Sequence, residues 1–204
     1  ELLRDLTRIV KMKHETIFKE ISDTYPEHLR TLFTAVITEN PELDIYHIGL
    51  TLDGDVQSCA LTFSSEQNLE HPHLRWSIWG DTPHLEDPRY NALIRPIQEP
   101  LERLYDCLDE QENGGDITEY CDYLREIHED CWELISKTVK EALDCDALRS
   151  YLDGASCIFS VSMIDDEDCL WIRSVRAIHG AETAQRFTAE LAEAQRAAKE
   201  YYGF

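Results

Sequence analysis

The sequence predicts an α+β fold: an antiparallel sheet of about five strands, built as two hairpin units, covered by helices and preceded by an N-terminal helical extension. Three observations predict it. Apolar residues recur at helical spacing over residues 1–20, 26–39, 116–143 and 181–202. Between residues 45 and 63 the period changes to two, with a turn signal in the middle. Two further apolar stretches, 157–163 and 169–175, flank an acidic turn and read as a second hairpin. The strands of each hairpin are adjacent in the chain and no alternating strand–helix rhythm occurs, which favours antiparallel pairing.

The elements follow in order. Leu2, Leu3, Leu6, Ile9, Val10, Ile17 and Phe18 form the apolar stripe of a first helix. That helix is the one locally basic segment, with Arg4, Arg8, Lys11, Lys13 and Lys19. Pro26 suits the first turn of a second helix, with Leu29, Leu32, Phe33, Val36 and Ile37 facing inward, and Asn40-Pro41 stops it. Residues 1–24 therefore read as an extension and 25–204 as a single α+β domain. Tyr46, Ile48, Leu50 and Leu52 alternate with His47, Gly49 and Thr51, Asp53-Gly54-Asp55 turns the chain, and residues 56–63 alternate again. Residues 75–79 predict a third short strand, in which Trp76 and Trp79 have opposite parity. Asp87-Pro88 starts a helix, and Pro96 and Pro100 divide it into pieces near 88–95 and 98–111. After Gly114-Gly115, Asp116 and Glu119 resemble a capping box that opens a long helix to Leu143. Its inward stripe is Ile117, Cys121, Leu124, His128, Cys131, Ile135, Thr138 and Ala142. A last helix spans 181–202.

Charge is the strongest bulk signal. The 204 residues hold 41 acidic side chains against 19 basic ones, a formal net charge of −22. Nucleic acid and anionic membrane both reward Lys and Arg, so neither is expected as a partner. A basic protein partner would be steered towards such a surface. No run approaches a membrane span and no signal-peptide pattern is visible. The seven cysteines are odd in number and include no C-x-x-C. Cys59, Cys121, Cys131, Cys157 and Cys169 lie among apolar neighbours, so they read as reduced core residues of a cytoplasmic protein.

No catalytic residue is predicted. The eight glycines form no phosphate-binding cluster, no G-x-S-x-G elbow occurs, and the cysteines lie in acidic or apolar surroundings that raise a thiol pKa. Nor is a cofactor or metal expected. Cys121, His128 and Cys131 share one helical stripe and could hold a metal, but Leu124 and Ile135 on that stripe give them a core explanation. His71 and His73 form an H-x-H pair with no visible third ligand. Asp165, Asp166, Glu167 and Asp168 lack the spacing of a calcium loop. They read as a solvated turn or as a contact loop for a basic partner. From Asp106 to Glu133 eleven acids stand against one base, Arg125. Those on the long helix must crowd onto its solvent faces, where like charges at i,i+4 cost a few tenths of a kcal/mol per pair.

The first hairpin also carries a resemblance. Ile45-Tyr46-His47-Ile48-Gly49-Leu50-Thr51, then Ser58-Cys59-Ala60, Ser64-Ser65-Glu66-Gln67-Asn68-Leu69 and Arg75-Trp76-Ser77-Ile78-Trp79 resemble the bacterial domain-of-unknown-function family numbered 4303. The similarity covers about residues 25–180 and lacks that family's Pro-Ala-Glu insertion before the second tryptophan. The resemblance implies an α+β fold and a bacterial origin, and it transfers no catalytic residue. Small acidic bacterial domains of this sort are similar to immunity proteins. The expected function is therefore non-catalytic: an acidic protein-binding domain that neutralises a cognate bacterial toxin by occlusion. Its expected contact residues are Asp165, Asp166, Glu167, Asp168, Glu126, Glu129, Asp130 and Glu133. The alternative is a metal-binding or enzymatic protein using Cys121, His128 and Cys131.

Overall fold

The computed structural model describes residues 2–54, 57–69, 71, 75–76, 88–112, 117–163 and 169–203; of residues 2–13, 68, 108–112 and 117–124 it describes the backbone. Five helices and three strands are present among these residues: α1 (Leu2–Glu39), β1 (Ile45–Leu52), β2 (Cys59–Ser65), α2 (Asn91–Glu112), α3 (Ile117–Leu143), β3 (Ile158–Met163), α4 (Cys169–His179) and α5 (Ala181–Tyr202).

Helix α1 runs unbroken through Pro26, where two helices were expected. A mid-helix proline costs about 3 kcal/mol. The inward stripe continues across it, and Ile17, Ile21, Tyr25, Leu29, Leu32, Phe33 and Val36 are all buried. Burying an Ile or Leu side chain contributes about 1.5–3 kcal/mol, so Ile17 and Ile21 alone offset the proline. Helix α2 likewise continues through Pro96 and Pro100, correcting the expected break. It is preceded by a single 3-10 turn, Pro88–Tyr90. Its buried residues Ile94, Ile97, Leu101 and Leu104 keep one face against the core. The Tyr25 hydroxyl of α1 donates to the Ile97 carbonyl between the two prolines and ties the helices together.

The hairpin β1–β2 forms as expected. Asp53 anchors its loop, with Oδ1 accepting from the Gln57 N–H at 2.7 Å and Oδ2 accepting from the Ser58 hydroxyl at 2.7 Å. The register pairs Ile48 with Phe63 and Leu50 with Leu61, with an irregularity between Ile45 and His47. The remainder of the predicted sheet is corrected. It has three strands in the order β2-β1-β3, and β3 pairs parallel to β1, with Ile48 opposite Phe159 and Leu50 opposite Val161. The sheet is therefore mixed, not antiparallel and five-stranded. Residues 169–175, expected to be a strand, are helix α4. Seven apolar-rich residues fit either state. Trp171, Ser174, Val175 and Ile178 share one helical face, of which Ser174, Val175 and Ile178 are buried, and that face lies on β3. Arg75 and Trp76 form a turn, and the rest of the expected strand at 75–79 lies outside the described residues.

Both faces of β1 are covered. On one, Ile48, Leu50 and Leu52 join the main core with α1, α2 and α3. On the other, Tyr46, Trp76, Ile158, Val175, Phe187 and Leu191 form a second cluster with α4 and α5. This second layer explains why His47 and Gly49, the polar and small members of the alternation, are buried rather than solvated. No helix among the described residues is long and apolar enough to cross a membrane.

Candidate functional site

The inward face of α3 buries Ile127, Cys131, Trp132, Ile135, Val139, Ala142 and Leu143 against the core. Glu126, Glu129, Asp130 and Glu133 are consequently turned outward, and all four are exposed. The face is not uniformly free. Arg173 of α4 places Nη1 2.9 Å from Glu129 Oε1 and Nη2 3.0 Å from Glu133 Oε1. Its guanidinium also lies 4.9 Å from the centre of the Trp132 ring. One base thus spans an i,i+4 carboxylate pair while resting on an aromatic face, an arrangement that suits the flat guanidinium better than an ammonium. Glu126 and Asp130 repeat the i,i+4 spacing beside it and form no ion pair among the described residues. Further along α3 the sign changes, with exposed Lys137 and Lys140, the former 3.7 Å from Glu141.

Asp165, Asp166, Glu167 and Asp168 lie outside the described residues, and the segment holding them connects β3 to α4 rather than two strands. A shallow recess of about 350 Å³ opens between α1 and α2, lined by Thr16, Ile17, Arg103, Asp106 and Cys107. Arg103 pairs with Glu20 across the same helix interface.

The stripe of Cys121, His128 and Cys131 is only partly described. The Cys121 side chain lies outside the described residues, His128 is half-buried, and Cys131 is fully buried. Burial pushes the Cys131 thiol well above its ordinary range, with smaller contributions from Cys59 and Asp130. A thiolate ligand is disfavoured there. No group of three metal-ligating side chains occurs among the described residues. His71 contacts the Tyr201 hydroxyl at 3.0 Å, and His73 lies outside the described residues. Cys59 and Cys157 are buried thiols as expected, with Cys59 pushed up to about 12 by burial, whereas Cys169 is exposed at the start of α4.

The chemistry that sequence reasoning missed lies under α4. His47 Nε2 is 2.8 Å from Ser160 Oγ, and the Trp171 indole N–H donates to the same oxygen at 2.8 Å. The Ser160 hydroxyl can therefore donate to His47 while accepting from Trp171. Burial holds His47 neutral and pushes its pKa down to about 3. A base so weakened does not activate a serine near neutral pH, and Ser160 is 2 % exposed. The network acts as a cross-link between β1, β3 and α4. Its sequence signal was Gly49, two residues from His47 in the strand. A Cβ there would lie 3.0 Å from the His47 ring and 3.0 Å from Thr62 Oγ1, so the glycine marks a close approach.

No family model, no curated protein and no solved structure matches this chain.

Proposed function

We propose that this chain is a non-catalytic binding domain whose α3 face receives a basic protein partner. Its setting in this reading is that of a cytoplasmic immunity protein that neutralises a cognate bacterial toxin by occlusion. The observation that carries the reading is the cis-bound guanidinium: Arg173 lies across Glu129 and Glu133 on a face where Glu126 and Asp130 offer the same spacing again. Charged groups so placed steer encounter and fix register, while apolar contacts supply the holding energy.

The test uses an arginine-rich peptide as probe and two charge-matched variants. Glu126→Lys with Asp130→Lys changes α3, and Glu182→Lys with Glu193→Lys makes the same change in net charge on exposed positions of α5. The α3 variant is expected to lose about tenfold in affinity at low salt, a coupling of the size known for close charge pairs. The α5 variant should lose little. Equal losses in both variants would reduce the effect to bulk charge and remove the site.

A further inference from the structure

Helix α4 closes the outer edge of β3 with side chains. The main-chain groups of Phe159 and Val161 point away from β1, the direction in which an edge strand is open to pairing. The Phe159 N–H donates to His179 Nε2 at 2.8 Å, and the Val161 N–H donates to Ser174 Oγ at 3.0 Å. The Ser174 hydroxyl is itself directed at the Trp171 carbonyl, 2.7 Å away. His179 Nδ1 lies 2.9 Å from the Leu152 carbonyl, which can only accept, so the ring proton sits on Nδ1 and Nε2 is the acceptor.

Beyond the binding reading, and independent of it, we propose that His179 is an acid-sensitive latch: a proton on Nε2 removes the acceptor for the Phe159 N–H and weakens the hold of α4 on the edge of β3. The protonated ring would set an N–H against an N–H. The proton is then taken up by the Phe159 carbonyl, 3.1 Å from Nε2 with the ring as it stands, and the Phe159 N–H is left without its acceptor. The charged groups around His179 oppose each other. Asp153, on the loop before β3, favours the cation, and Arg186 of α5 disfavours it. Arg186 is committed to the Gly154 carbonyl and lies 3.8 Å from Glu190, and Arg176 precedes His179 by one turn on α4. Burial lowers the His179 pKa from its ordinary value, so release belongs to the acid side of neutrality. The second attachment, from the Trp171 indole N–H to Ser160 Oγ, does not titrate, because the hydroxyl oxygen keeps a lone pair for it whatever the charge on His47.

Amide hydrogen exchange of the intact chain between pH 7.5 and pH 5, corrected for intrinsic rates, tests the latch. Protection at Phe159 and Val161 is expected to fall about tenfold or more while the β1–β2 ladder keeps its own, as for a local opening. In His179→Gln, which keeps an acceptor without titrating, protection at the two sites should not depend on pH. Unchanged protection in the native chain, or the same fall in the variant, overturns the latch. Should the variant fail to fold, the native imidazole titration decides. Its midpoint must coincide with the loss of Phe159 protection, and separate midpoints overturn the proposal.

Discussion

Arg173 of α4 reaches Glu129 of α3 at 2.9 Å, so a carboxylate legible in the sequence as a docking group is already engaged by the chain's own base. The consequence is a trade between cohesion and exposure. The pair joins two helices that are far apart in sequence, and it removes negative charge from the face that the proposed partner would use.

Arg173→Gln should therefore move two observables in opposite directions. Both carboxylates and Arg173 are more than a third exposed, so the loss in stability stays within about 1 kcal/mol by urea unfolding. Affinity for an arginine-rich peptide should rise, because Glu129 and Glu133 become available to it.

Gly49→Ala tests the close approach beneath α4. Its methyl group would press on the His47 ring and Thr62 Oγ1, each 3.0 Å away. Overpacking of this kind costs about 1–3 kcal/mol. Calorimetry should show a lowered Tm, and the Trp171 indole N–H resonance should shift as Ser160 loses its fixed geometry.

Acid should weaken the fold through His47 as well. Its folded pKa, about 3, lies below its ordinary value of 6.5. The unfolded chain therefore binds the proton first. The contribution is complete above about pH 6.5 and is lost progressively as pH falls towards 3, by up to about 1.4 kcal/mol per pH unit. Urea unfolding at pH 7.5 and 5.5 should show a larger loss in the native chain than in His47→Gln, in a range where most carboxylates remain ionised.

Tyr25→Phe removes the hydroxyl that donates to the Ile97 carbonyl while leaving the ring buried. The buried carbonyl lies between Pro96 and Pro100, so the expected cost is about 1–2 kcal/mol. Equilibrium denaturation with an unchanged m-value would assign that loss to the hydrogen bond.

Local pattern by itself determined the first hairpin, the long helix α3, the last helix α5 and the outward placement of Glu126, Glu129, Asp130 and Glu133. Each of these has a period that repeats over enough residues to exclude the other state, as the 27 residues of α3 do. Only the tertiary structure decided that residues 169–175 are helical, that α1 passes through Pro26 and that β3 lies parallel to β1. A seven-residue apolar run satisfies strand and helix alike, and contact with β3 selects between them. A proline penalty is local, whereas the burial that outweighs it is summed over partners on α2 and α3. The pairing of β3 with β1, and the contact of His47 with Ser160, join residues more than a hundred positions apart, and no period in the chain encodes such a distance.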